Sequence, residues 1–164
     1  MVVGGAKVAD KIGVLRSLIP KSDIVIVGGR MAFTFLAAMG VSVGMTQIES
    51  NRLEDARSII ELSKKHGVKL FLPVDANVSE SLDKPLNMMI TEFSTSCCTE
   101  NAPCVSSGHY GIDIGPRTEV IFADALSQAK TIFLNGPMVR LANLSAFSAS
   151  CVVLKVLFLA SGEV

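Results

Sequence analysis

The chain has 164 residues, 49% hydrophobic and 18% charged, with fifteen Lys and Arg against fifteen Asp and Glu. Such a chain suits one domain with a sizeable core, and its interspersed, balanced charge gives no support to a nucleic-acid or acidic-membrane partner. The longest apolar run near the end, Cys151–Ala160, is broken by Lys155 and falls far short of the ~20 residues of a membrane-spanning helix.

Val2–Val3 reads as the end of a strand. Gly4 and Gly5 follow, then Lys7 and Lys11, four residues apart. A helix starting near Ala6 would stack both lysines on one face, pointing past a helix N-terminus whose free N–H groups favour an anion. Glycine lets a phosphate oxygen approach the backbone where no Cβ blocks it. The combination suits a polyphosphate; the other reading is a glycine turn before a helix with two solvated lysines. The helix, from about Val8 to Ile19, carries Val8, Ile12, Leu15 and Ile19 on one stripe and stops at Pro20.

Asp23–Val27 is a strand apolar on both faces, as parallel strands are. Gly28-Gly29 makes the turn, and Met31–Met39 is a helix ended by Gly40. Asn51 with Glu54 resembles an N-cap pair for a helix running through Ile59, Ile60 and Leu62 to Lys65. Gly67 stands at its C′ position and His66 at its C-terminus. Val68–Leu72 is a third strand, broken by Pro73. Asn87–Phe93 is a short extra strand, Ser94–Ser107 a polar loop, and Tyr110 and Asp113 are structural around a turn at Gly111. Pro116 introduces a helix near Glu119–Ala129, and Thr131–Leu134 is the fourth strand.

Alternating strands and helices predict an α/β fold with a doubly wound, mostly parallel, Rossmann-like sheet in three layers. The loops Gly4-Gly5-Ala6-Lys7, Gly28-Gly29-Arg30, Pro73-Val74-Asp75 and Asn135-Gly136-Pro137 then share the carboxyl edge of one sheet, where open α/β sheets bind ligands. No G-x-x-x-x-G-K-[ST] and no G-x-G-x-x-G is present, so a phosphate site must be assembled from several strand ends. Cys97, Cys98, Cys104 and Cys151 contain no C-x-x-C, and neither His66 nor His109 has ligand spacing to them. They read as reduced thiols in a cytosol-like compartment rather than metal ligands. No signal or transit peptide pattern is visible.

GGAKVADKI at 4–12, IVGGRMAFTFL at 26–36, LPVD at 72–75, YGIDIGP at 110–116 and FLNGPM at 133–138 together resemble the C-terminal, nucleotide-binding domain of phosphoglycerate kinase. The resemblance implies phosphoryl transfer between 1,3-bisphosphoglycerate and Mg-ADP, giving 3-phosphoglycerate and ATP. It implies that Gly5, Ala6, Lys7 and Lys11 line the phosphate and nucleoside side, Lys7 and Lys11 offsetting phosphate charge. Gly28 and Gly29 would flank the adenine with Gly111 close by, and Asn135, Gly136, Pro137 and Met138 would border the nucleotide pocket. The family works in the cytosol and in plastids, and is usually monomeric.

Departures from the family pattern set further expectations. The phosphoglycerate-binding domain is absent from residues 1–164, and so is its 3-phosphoglycerate site. The usual N-G-P-M-G-V-F-E becomes Val139-Arg140-Leu141-Ala142 after Met138, without the glutamate that contacts the ribose. The later glycine-rich motif with a metal-holding Asp is missing, so no metal ligand is expected. Arg30 replaces a third glycine and either blocks the base or turns to solvent. The sequence thus divides into 1–138, a partial nucleotide-binding domain, and 139–164, a divergent apolar tail in which Val152–Leu159 could supply a replacement strand. The expected function is the family's reaction, this chain alone being inactive or weakly nucleotide-binding. The alternatives are a non-catalytic nucleotide-binding or interaction module, associating through an open sheet edge, and a non-functional truncated product.

Overall fold

The computed structural model describes residues 1–82, 88–93, 105–136 and 138. The parallel sheet has the order β3 (Lys69–Phe71), β2 (Ile24–Val27), β1 (Val2–Val3), β7 (Leu134–Asn135). Val2 pairs with Ile26 on one side and Leu134 on the other. Val3, Val25 and Val27 pack with Leu15 and Ile19, with Met31 and Phe35 of α2 (Met31–Ala38), and with Ala56 and Ile59 of α3 (Leu53–Lys65). Val2 and Ile26 face the other way, onto Phe122, Ala125 and Leu126 of α4 (Pro116–Ser127). Successive strand residues point to opposite faces, so a sheet covered on both sides needs the unbroken apolar run that DIVIV supplies. Each large side chain so buried contributes about 1.5–3 kcal/mol. The three-layer, doubly wound arrangement expected from the alternation is therefore present.

Two glycine terminators behave as expected. The Gly67 N–H donates to the Lys64 carbonyl and the Val68 N–H to the Ser63 carbonyl, closing α3 with Gly67 at φ 67°. Gly40 at φ 89° closes α2 in the same way, through Gly40 to Ala37 and Val41 to Leu36. This double bond pattern with a left-handed residue at C′ satisfies carbonyls that the helix end would otherwise leave without partners.

Three local expectations are corrected. The first helix, α1, runs only from Ile12 to Leu18, followed by a 3-10 turn, Ile19–Lys21, that contains Pro20. Residues 8–11 form a turn instead, with the Lys11 and Ile12 N–H groups on the Val8 carbonyl. The cause is non-local: the Glu49 carboxylate takes the Val8 and Ala9 N–H groups and draws this stretch toward the segment between α2 and α3. Lys7 and Lys11 therefore both precede the helix and do not stack along it. Asn51 lies inside a 3-10 turn, Ser50–Arg52, and the N-cap of α3 is Arg52, which makes no side-chain cap bond.

The third correction concerns Gly111, which sits within a strand, β6 (Tyr110–Ile114), rather than a turn. β6 and β5 (Met89–Glu92) flank β4 (Asp75–Ser79) in an antiparallel sheet of order β5-β4-β6. β5 answers to the expected extra strand. Phe33 and Leu36 of α2 pack onto Ala76 and Val78 of this sheet, and Phe33 meets Phe93 edge to face at 6.2 Å. A Cβ at Gly111 would lie 2.2 Å from the Phe33 ring, so only glycine lets α2 come this close.

Asp75, fully buried, ties this sheet to α4. Its carboxylate accepts from the Arg117 N–H (2.9 Å), the Thr118 N–H (2.8 Å) and the Thr118 hydroxyl (2.5 Å). Gly115, the residue at the N-cap, has no side chain to cap with, so Asp75 caps α4 from forty-odd residues away. A Cβ on Gly115 would stand 2.3 Å from the Asp75 carboxyl carbon. Cys97, Cys98, Cys104 and the segment Val152–Leu159 lie outside the described residues.

Candidate functional site

All strands of the parallel sheet run one way, so the chain leaves each of them on a single edge. The segments at that edge are joined by backbone bonds. The Gly4 N–H donates to the Asn135 carbonyl, the Gly28 N–H to the Val3 carbonyl, and the Met31 N–H to the Gly5 carbonyl. The ends of β7, β1 and β2 and the start of α2 thus form one continuous rim.

Lys11 crosses this rim. Its Nζ donates to Asn135 Oδ1 at 2.5 Å, linking residues 124 apart. Gly136, at φ 89°, lies beneath: a Cβ there would come 2.4 Å from the Gly4 carbonyl oxygen and 3.2 Å from Lys11 Nζ. Gly5, at φ 136°, would place a Cβ 3.5 Å from Lys11 Cε. An ammonium carries three donor hydrogens, and the Asn135 bond uses one. Lys7 is exposed, and among the described residues neither lysine forms an ion pair. Two uncompensated cations beside glycine backbone make a surface that favours an anion.

Of the residues singled out in the sequence, Gly5, Lys11, Asn135 and Gly136 meet in one cluster, with Ala6 and Lys7 exposed on the adjoining loop. Gly29, at φ 67°, follows β2 on the same rim. Gly28 is buried against Met138, whose methyl a Cβ at position 28 would approach to 2.1 Å. Met138 itself belongs to the core with Val2, Ile26 and Phe122. Gly111 is set apart in the antiparallel sheet behind Phe33. Pro137 lies outside the described residues. Arg30 is exposed and its Nη1 donates to Gln47 Oε1 at 3.1 Å.

One carboxylate that the sequence reading placed at the sheet edge serves elsewhere, and another escaped that reading. Asp75 is committed to capping α4. Glu49 occupies the Val8 and Ala9 N–H groups, the very donors that the expected helix N-terminus was to offer an anion. No local signal marks either partnership, because each joins residues about forty apart. Among the described residues, no three His, Cys, Asp or Glu side chains come together as a metal site. No described helix is long and apolar enough to cross a membrane.

Comparison with known proteins places the chain in a family. The family model described as phosphoglycerate kinase matches residues 1–156. A phosphoglycerate kinase of Clostridium botulinum is 40% identical over 137 residues, and that of Clostridium novyi 43% over the same length, each match covering 84% of this chain and 32% of the relative. The chain therefore spans about a third of the length of these relatives. The solved structure of phosphoglycerate kinase from Coxiella burnetii superposes with a TM-score of 0.83 at 32% identity, over 94% of this chain and 38% of that one. A family match along nearly the whole sequence, joined to a shared three-layer fold, leads to one conclusion: the chain belongs to the phosphoglycerate kinase family.

Proposed function

We propose that this chain supplies the nucleotide-phosphate side of a phosphoglycerate kinase, which moves a phosphoryl group between 1,3-bisphosphoglycerate and ADP to give 3-phosphoglycerate and ATP. The observation that carries this reading is the Lys11 Nζ–Asn135 Oδ1 bond, which holds an ammonium between Gly5 and Gly136 at the carboxyl edge of the sheet. Phosphoryl transfer asks little covalent chemistry of the protein; it needs positioning and electrostatic stabilisation. In this reading Lys11 is the cation tied to Asn135 and Lys7 the exposed one, both offsetting phosphate charge. Gly5 keeps the backbone clear for phosphate oxygens, Gly136 lets the Gly4 carbonyl and the Lys11 ammonium come close, and Ala6 and Asn135 border the pocket. Gly29, following β2 on the rim, flanks the adenine, while Gly28 and Gly111 make room behind it for Met138 and Phe33.

Magnesium accompanies the nucleotide in this family and neutralises phosphate charge. The described residues do not fit a protein-held ion: Glu49 and Asp75 are already engaged by backbone N–H groups, and no other carboxylate set assembles. The setting we propose is the cytoplasm, to which a sequence whose cysteine spacing suggests reduced thiols is suited.

Titration calorimetry of the chain with ADP tests the reading. Binding in the micromolar to millimolar range is expected, weakened about tenfold or more by Lys11→Ala, since a charge-assisted contact contributes about 1.5–3 kcal/mol. Absence of heat at millimolar ADP, from protein with a cooperative melt, would refute it.

A further inference from the structure

We infer that Glu49 is a positioning residue for the nucleotide site, setting where Lys7 lies. The inference rests on the proposed nucleotide reading and deepens it. The loop after β1 is held at two points on either side of Lys7. Upstream, the Gly5 carbonyl accepts from the Met31 N–H at the start of α2 (3.0 Å). Downstream, the Glu49 carboxylate accepts from the Val8 N–H and, at 3.4 Å, from the Ala9 N–H. Only Ala6 and Lys7 lie between, and both are exposed.

Both holds refer back to the same helix. The Glu49 N–H donates to Thr34 Oγ1, a buried hydroxyl on α2, at 3.3 Å. Its carbonyl accepts from the Arg52 N–H at 2.9 Å, joining it to the turn that opens α3. Glu49 is thus fixed by its own backbone before its side chain fixes the loop. Its carboxylate also satisfies two backbone donors that would otherwise compete for a phosphate, leaving the lysines as the attraction. Val8, fully buried among α1–α3, adds a packing anchor on that side, but side-chain burial alone leaves the direction of its N–H undetermined. Downstream, Lys7 therefore owes its place to a carboxylate forty-one residues beyond Val8.

Three substitutions, singly and in one pair, and two readouts test this. Amide exchange followed by NMR is expected to show slow Val8 and Ala9 amides in the wild type. In Glu49→Ala they should speed up about tenfold or more while the β1 and β2 amides stay slow. ADP affinity by calorimetry should fall about tenfold in Glu49→Ala, as small misplacements of a binding group commonly cost this much or more. Glu49→Gln, which keeps an oxygen acceptor, should recover most of both. In the Lys7→Ala background, Glu49→Ala should then cost little further affinity, because two changes acting through one group are non-additive. Additive losses, or a lowered melting temperature with unchanged ADP affinity, would overturn the positioning role. Unchanged Val8 and Ala9 exchange in Glu49→Ala would overturn it whether or not ADP binds. Wild-type protein that binds no ADP would refute the nucleotide reading and, with it, the placement of Lys7 for nucleotide, while the exchange arm still decides whether Glu49 anchors the loop.

Discussion

Replacing Asp75 with alanine should destabilise the fold by about 2–4 kcal/mol. The figure follows from what the carboxylate holds. Its loss leaves the Thr118 N–H in the interior without a partner, at about 1–3 kcal/mol. It also removes a cap and a negative charge from the α4 N-terminus, about 1 kcal/mol more. The Thr118 hydroxyl loses less, because it still meets the Asp75 carbonyl and the Val74 N–H. At about 2–4 °C per kcal/mol for a chain of this size, a loss of about 3 kcal/mol lowers Tm by about 6–12 °C. Circular dichroism melts measure it. Asp75→Asn, which keeps one acceptor oxygen, should recover roughly half of that loss. Gly115→Ala should resemble Asp75→Ala, since its Cβ would stand 2.3 Å from the carboxyl carbon and expel it. The double variant should then melt no lower than Asp75→Ala alone. A Tm within ~2 °C of wild type for Asp75→Ala would show that α4 is capped by something else and that the reasoning fails.

Other substitutions test separate features. Gly28→Ala should cost about 1–3 kcal/mol through its clash with the Met138 methyl, lowering Tm; an unchanged melt would mean that Met138 does not pack there. Gly67→Ala meets nothing within 4 Å, so its loss is backbone strain alone, about 1–2 kcal/mol, and Gly67→Asn should lose less. Lys11→Met should weaken ADP binding and flatten its dependence on salt, which calorimetry at several ionic strengths would register; equal slopes would remove Lys11 from the phosphate site.

The sequence was most legible where structure is local. Gly40 and Gly67 follow the last residues of periodic helices, and a left-handed C′ residue is what such an end needs. The DIVIV run marked a strand buried on both faces. The antiparallel sheet was harder to see. Asp75–Ser79 reads DANVS, poor in β-formers, because Asp75 serves α4 and Asn77 donates to the Ile114 carbonyl rather than filling a core. Tyr110–Ile114 looked like a turn because its glycine is there to admit Phe33. At the candidate site, the residue types and the strand ends were readable, and the start of α1 was not. Val8 and Ile12 keep a helical spacing, but the turn they occupy is shaped by Glu49, which no window around them contains. The Lys11–Asn135 bond was hidden for the same reason.

The position of β1 has a kinetic consequence. This two-residue strand sits between β2 and β7, and its second neighbour is made only when Leu134 and Asn135 exist. During synthesis Val2 and Val3 can pair with β2 early, but their other edge stays open until Leu134 and Asn135 have been made. Non-local pairing of this kind slows folding, and an open apolar edge meanwhile invites other chains. A nascent chain halted before Leu134 should therefore be sticky and prone to aggregation, and the Lys11–Asn135 link should close only after β7 has been made.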